Sequence, residues 1–127
     1  MRNLIFFSLC LVYGTLRSQE VDSYSDSASS AQELYKMKEY DSALMSYERA
    51  KKLQNSIKMS AAERAKLDIE LGQTAYRSED YTKALAHFQN AVQAESDIIK
   101  RAALLRNLGN TSMQLKNIDQ AIDFYKQ

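Results

Sequence analysis

Three stretches of this sequence superimpose without a gap, and each alternates small and large apolar residues in the same way. They are Tyr40-Asp41-Ser42-Ala43-Leu44-Met45-Ser46-Tyr47-Glu48-Arg49-Ala50, Tyr81-Thr82-Lys83-Ala84-Leu85-Ala86-His87-Phe88-Gln89-Asn90-Ala91, and Ile118-Asp119-Gln120-Ala121-Ile122-Asp123-Phe124-Tyr125-Lys126-Gln127. Each puts an aromatic or Ile three residues before an Ala and an aromatic four residues after it. Spacings of three and four mark one face of a helix. The alanines let a second helix come close, and the rings hold it there. Such a unit cannot bury its apolar face alone, so copies of it must stack.

Upstream of each stretch runs a second helical pattern, with Ala31, Gly72 and Gly109 twelve residues before the first Ala. Leu71 and Leu108 precede the two glycines. A glycine inside a helix costs about 0.5–1 kcal/mol relative to alanine, so its recurrence at one place implies close contact there. The paired helices are joined by the short polar turns Lys38-Glu39, Ser78-Glu79-Asp80 and Lys116-Asn117, with Asp80 and Asn117 suited to cap the helices that follow. Ser60-Ala61-Ala62-Glu63 is a capping box that opens a helix running to about Arg77. Ala43 and Ala84 are 41 residues apart, Ala84 and Ala121 only 37. With no proline to stop the second helices, the extra residues are expected to lengthen helices rather than form loops. Ser23, Ser25, Ser27, Ser29 and Ser30 make the first helix polar, and it is expected to fray.

The pattern resembles the tetratricopeptide repeat, a helix–turn–helix unit of about 34 residues with L-G-x2-Y and A-x3-F signatures. Leu71-Gly72 and Leu108-Gly109 match the first signature; Ala43…Tyr47, Ala84…Phe88 and Ala121…Tyr125 match the second. The leading Trp is absent, Ala75 and Ser112 replace the Tyr after each glycine, and Asn55 and Ser96 replace the closing proline. The resemblance implies an all-α fold, a right-handed superhelix of antiparallel helix pairs with about two and a half to three repeats. Their expected spans are about 24–57, 61–98 and 99–127, the last one incomplete.

Residues 1–18 differ in kind. Met1-Arg2-Asn3 is basic, Leu4 to Tyr13 is apolar, and Gly14-Thr15-Leu16-Arg17-Ser18 is small or polar. A ten- to thirteen-residue helix spans about 15–20 Å, short of the roughly 30 Å hydrocarbon core, and the three-part layout is that of a secretory signal. Cleavage after Ser18 is the expectation; the alternative is a retained anchor. Cys10 lies inside the apolar run after Leu9, where a lipidated cysteine would need a small neighbour. Losing residues 1–18 removes Arg2, Arg17 and Cys10 from a chain of net charge +1, leaving 109 residues with fifteen cations, sixteen anions and no thiol. Such balance argues against nucleic acid as a partner, and the missing thiol excludes a disulfide or cysteine nucleophile from residues 19–127.

The resemblance also implies that first helices line a concave wall with side chains at i, i+4 and i+7. Counting from the glycine position gives Ala28, Gln32 and Tyr35, then Ile69, Gln73 and Tyr76, then Arg106, Asn110 and Met113, flanked by Lys36, Arg77 and Gln114. Amides suit an extended backbone, rings suit apolar anchors, and cations suit acidic groups. The competing reading of Tyr35 and Tyr76 is packing against neighbouring helices. Arg106 and Asn110 resemble half of the clamp with which some family members hold a peptide carboxylate, though Glu70 and Gln73 replace the companions it needs.

Catalytic, cofactor and metal sites are not expected. His87, the single histidine, falls on a second helix away from the wall and is expected at the surface; Glu79, Asp80, Glu95 and Asp97 suit helix caps. Asn110-Thr111-Ser112 matches a glycosylation acceptor but lies in a helical stretch, and Asp41-Ser42-Ala43 resembles a bacterial O-glycan acceptor. The expected function is an exported, non-enzymatic scaffold that binds a protein or peptide segment, with a membrane-associated partner among the options. The signal and Arg101 to Asn110 also resemble repeat proteins of bacterial aerotolerance operons, which implies a periplasmic or envelope setting. The alternative is the extracytoplasmic input portion of a longer signalling protein. The last helix should expose Ile118, Ile122 and Tyr125, an edge expected to be closed by further chain, a partner or a second copy.

Overall fold

The computed structural model describes the backbone of residues 2–127 and the side chains of residues 12–127. Met1 and the side chains of the apolar run through Leu11, Cys10 among them, lie outside the described residues. Six helices follow in order: α1 (Arg2–Lys36), α2 (Tyr40–Leu53), α3 (Ala61–Arg77), α4 (Tyr81–Ala94), α5 (Ile98–Gln114) and α6 (Ile118–Lys126). Helix makes up 83% of the chain and no strand occurs among the described residues, so core packing is helix on helix, as in a tetratricopeptide-like solenoid.

Each hairpin closes through the same turn. Lys38, Glu79 and Lys116 take left-handed φ values of 63°, 63° and 60°. The next amide returns to the first helix: Glu39 N–H donates to Leu34 O, Asp80 N–H to Ala75 O and Asn117 N–H to Ser112 O, each at 2.9 Å. This is the Schellman ending, which satisfies carbonyls that a helix end leaves bare. Asp80 then caps α4 by accepting from Lys83 N–H at 3.2 Å. Asn117 sits at the corresponding position but does not cap with its side chain, because its amide donates instead to Gln120 Oε1 at 3.1 Å. The capping box of α3 forms in full, Ser60 accepting from Glu63 N–H and Glu63 from Ser60 N–H.

Two expectations about length are corrected. The second helices α2 and α4 both have 14 residues, and the first helices α3 and α5 both have 17. The difference between the two repeat spacings therefore lies in the connections, 54–60 against 95–97, and the four further residues are loop. Ser60 fixes where α3 begins, and half-buried Ile57 and Met59 tie the longer connection down. The polar start of the first repeat is not frayed either. It belongs to α1, a continuous 35-residue helix, because Tyr24 and Ala28 pack on the core and Ala31 is fully buried. Residues 12–19 of α1, by contrast, are exposed. No helix among the described residues is long and apolar enough to cross a membrane.

Small residues seat rings within each pair. A Cβ added to Gly72 would come within 2.7 Å of the Phe88 ring, and one added to Gly109 would be closer still to Tyr125. Glycine is what lets these helices approach. Ala31 and Tyr47 hold the corresponding positions of the first pair, both buried. Leu44, Leu67, Leu71, Leu104, Leu105 and Leu108 fill the space between pairs.

Polar bonds show how the pairs stack. Gln32 of α1 donates to Glu70 of α3, and Lys83 of α4 pairs with Glu48 of α2 at 2.8 Å, so equivalent helices lie side by side. Asp68 of α3 accepts from Lys51 of α2 through both oxygens at 2.8 Å and from His87 of α4 at 2.9 Å. At the C-terminal edge Ile118, Ile122 and Tyr125 are 49%, 42% and 49% exposed, the solvent-facing stripe expected from their spacing.

Candidate functional site

Three adjoining cavities form one trough along α3. The first, about 240 Å³, is lined by Tyr24, Ser29, Gln32, Glu63, Lys66 and Glu70 among others. The next, about 220 Å³, shares Gln32 and Glu70 with it and adds Tyr35, Lys36, Tyr47, Gln73 and Thr74. The last, about 380 Å³, shares Tyr35 and Gln73 and adds Tyr76, Arg77, Phe88, Asn107 and Asn110. From Glu63 to Arg77 the trough follows fourteen residues of α3, about 21 Å at 1.5 Å per residue.

Of the nine groove residues expected from the sequence, seven line these cavities. Gln32, Tyr35, Lys36 and Gln73 gather in the middle, and Tyr35, Gln73, Tyr76, Arg77 and Asn110 at the far end. Arg106 and Met113 do not join them; both are exposed residues of α5, and neither lines a cavity of the trough. Arg106 and Asn110, one helical turn apart on α5, share none of these cavities.

Tyr35 and Tyr76 serve packing and groove together. Tyr35 meets Tyr40 edge to face at 5.3 Å, and Tyr76 meets Tyr81 in the same way at 5.3 Å. Each ring is thus steadied across a hairpin turn while still bordering a cavity. Asn110 is also held: Tyr125 Oη donates to Asn110 Oδ1 at 2.7 Å, which leaves the amide N–H groups to donate elsewhere. Among the lining residues not expected from the sequence are Glu70, Asn107 and Phe88. Glu70 and Asn107 each lie two residues before a glycine, a shared position that the i, i+4, i+7 count skips.

Burial raises the Glu70 carboxyl above its ordinary range, against the opposing pull of Lys66 and the Gln32 hydrogen bond. Burial also raises the Tyr47 phenol, and the Glu70 charge adds to that shift. The middle of the trough thus holds a partly desolvated carboxyl beside a buried phenol.

His87 is not the surface residue expected from its place on α4. Its side chain is 18% exposed and its Nδ1 lies 2.9 Å from Asp68. A carboxylate only accepts, so the ring donates through Nδ1–H. Asp68 is the hidden cause, four residues before Gly72 and so on the face that meets α4. Burial opposes its charge, but the bonds from His87 and Lys51 outweigh burial and hold its pKa below the usual value. None of the three lines the trough. Asp80 and Asp97 cap helices as expected, and Thr111 and Ser112 are buried within α5. Among the described residues no group of three or more His, Cys, Asp or Glu could hold a metal ion.

Residues 102–127 match the tetratricopeptide repeat. The match covers most of α5 and all of α6. Tetratricopeptide repeats are generally non-catalytic interaction modules, and proteins carrying them typically bind protein partners. The two upstream hairpins share with the matched repeat its turn geometry and its small-residue seat for a ring. No curated protein matches the chain.

Proposed function

We propose that this chain is a non-enzymatic scaffold that holds an extended segment of a partner protein in the trough along α3. One observation carries the reading: adjoining cavities between α1, α3 and α5 share lining residues and present amides and rings along α3. Amides pair with the backbone of an extended chain, and rings receive its side chains. Full-length protein probed against an immobilised library of ten-residue peptides should bind a subset of them. Gln73→Trp, which fills the wall shared by two cavities, should weaken that binding about tenfold while leaving the helical circular dichroism unchanged. Equal binding by wild type and variant would overturn the proposal.

Export, with work in the periplasm or at the envelope, is part of the same proposal. What supports it, beside the signal-like layout, is that residues 12–19 are exposed and that, among the described side chains of α1, Tyr24 is the first packed on the core cluster. Loss of residues 1–18 would then uncover no described part of the core. N-terminal sequencing of protein from an envelope fraction should begin at Gln19; a start at Met1 would refute cleavage.

A second reading concerns the exposed stripe Ile118, Ile122 and Tyr125, which suits a second copy or a membrane-associated partner. Sedimentation of wild type against Ile122→Asp separates self-association from a single chain. An input role in a longer signalling protein would use the same trough.

A further inference from the structure

The trough is electrically polar along its length. Glu70, in its middle, has as side-chain partner Gln32 Nε2 at 3.4 Å, a long bond. Arg77, at the far end, makes no ion pair among the described residues. Two other nearby charges are engaged, while Lys66 pulls on Glu70 without pairing with it. Lys36 pairs with Glu33 at 2.8 Å, and Glu63 is turned back on Ser60 N–H at 2.7 Å. Lys66, one helical turn before Glu70, forms no ion pair with it. Arg77 also borders a depression at the turns beside Glu39, Asp41 and Glu79 without pairing to them, and Asp41 is occupied by Ser78 Oγ.

Glu70 and Arg77 are seven residues apart on one helix, about 10 Å along its axis. An extended polyproline II segment repeats its face every three residues at about 3.1 Å each, so side chains i and i+3 point the same way about 9 Å apart. The two spacings agree. We propose that the groove selects extended segments carrying a Lys or Arg and an Asp or Glu three residues apart, the cation meeting Glu70 and the anion meeting Arg77. Asn107 and Asn110 lie in the Arg77 cavity and supply further N–H donors to the same carboxylate. This rests on the groove reading above and adds what the groove discriminates.

Fluorescence anisotropy of the full chain tests it with labelled decapeptides in an Ala/Pro background, acetylated and amidated to remove terminal charges. One carries Lys and Glu at i and i+3, one carries them at i and i+1, and one carries two Lys at i and i+3. The first should bind about tenfold tighter than the other two, and Glu70→Gln or Arg77→Gln should each reduce that preference to about twofold or less. Both changes fall outside the fully buried core, and circular dichroism verifies that each variant folds. If all three peptides bind alike and Gln73→Trp abolishes the binding, charge selection is overturned and the groove stands. If none binds, or if binding is indifferent to Gln73→Trp, both readings fall.

Discussion

The two junctions of this stack are built at equivalent positions from opposite chemistry. Between the first and second hairpins, Lys51, Asp68 and His87 meet in a hydrogen-bonded cluster. Moving each by the 37-residue offset to the next hairpin, or by the 41-residue offset from Lys51, gives Val92, Leu105 and Phe124. Val92 and Leu105 belong to the buried core and Phe124 packs against it. One junction is tied by charge and the other sealed by apolar contact, yet the hairpins they join close through the same turn. The repeat geometry is set by the small residues and rings; the trio tunes how a junction responds to its surroundings.

Breaking the charged junction at its centre should have the largest effect. Asp68→Leu leaves Lys51 and His87 facing each other with no anion between them. Removing one partner of a buried pair costs about 3–5 kcal/mol, and Lys51, 25% exposed, recovers some hydration, so about 3 kcal/mol is expected from urea unfolding. The transplant Lys51→Val, Asp68→Leu and His87→Phe should behave quite differently. It copies the apolar junction, and exchange of a buried ion cluster for well-packed apolar side chains is commonly neutral or stabilising, so its stability should fall within about 1 kcal/mol of wild type or above it. A transplant as damaged as Asp68→Leu would show that the two junctions are not interchangeable.

Acid should separate the junctions as well. The Asp68 carboxyl titrates below its usual 3.8 in the folded protein, because the bonds from His87 and Lys51 outweigh burial. A depressed carboxyl contributes stability above its unfolded pKa and loses it as pH falls through the folded value. Wild type should therefore weaken below about pH 4 by more than the transplant, whose junctions are both apolar. Urea midpoints measured at pH 7 and at pH 3 provide the comparison, and parallel loss in the two proteins would remove Asp68 as the cause.

The seats under the rings give a third contrast. Phe88 is 2% exposed and enclosed by neighbours, whereas Tyr125 is 49% exposed. Gly72→Ala pushes a methyl into a ring that cannot yield and should cost about 1–2 kcal/mol, after allowance for the better helix propensity of Ala. Gly109→Ala meets a ring that can swing into solvent, so the clash and the propensity gain should offset to within about 0.5 kcal/mol. Circular dichroism melts of the two variants measure this difference. Equal losses would mean that α6 is held as firmly as α4.

What could be foreseen divides along the same line. The phase of Ala31, Gly72 and Gly109 against the rings, the capping box at Ser60 and the turns were legible because each is a local pattern with a fixed helical period. The Asp68–His87 bond was not, since it pairs positions 19 residues apart that no single helix face relates. Glu70 and Asn107 escaped because the wall was counted on one row of side chains, while a trough between helices is lined by two. Arg106 and Met113 lie on the exposed side of α5, outside these cavities. The connection 54–60 was misjudged because absence of proline permits a helix to continue without requiring it.

The turns offer the finest test of whether the three hairpins are equivalent. Each holds a side-chain-bearing residue, Lys38, Glu79 or Lys116, near φ 60°. An L-residue in that region is strained by about 1–2 kcal/mol, and glycine relieves the strain but loses roughly 0.5–1 kcal/mol through its freer unfolded chain. Lys38→Gly, Glu79→Gly and Lys116→Gly should each raise stability by about 0.5 kcal/mol. For Glu79, whose hairpin has a neighbour on both sides in the described stack, the gain should appear in the cooperative unfolding midpoint. For Lys38 and Lys116, whose hairpins have a neighbour on one side in the described stack, it should appear chiefly as slower hydrogen exchange in α2 and α6, because such a hairpin can open before the middle one. Identical exchange changes in all three hairpins would mean that the stack opens only as a whole.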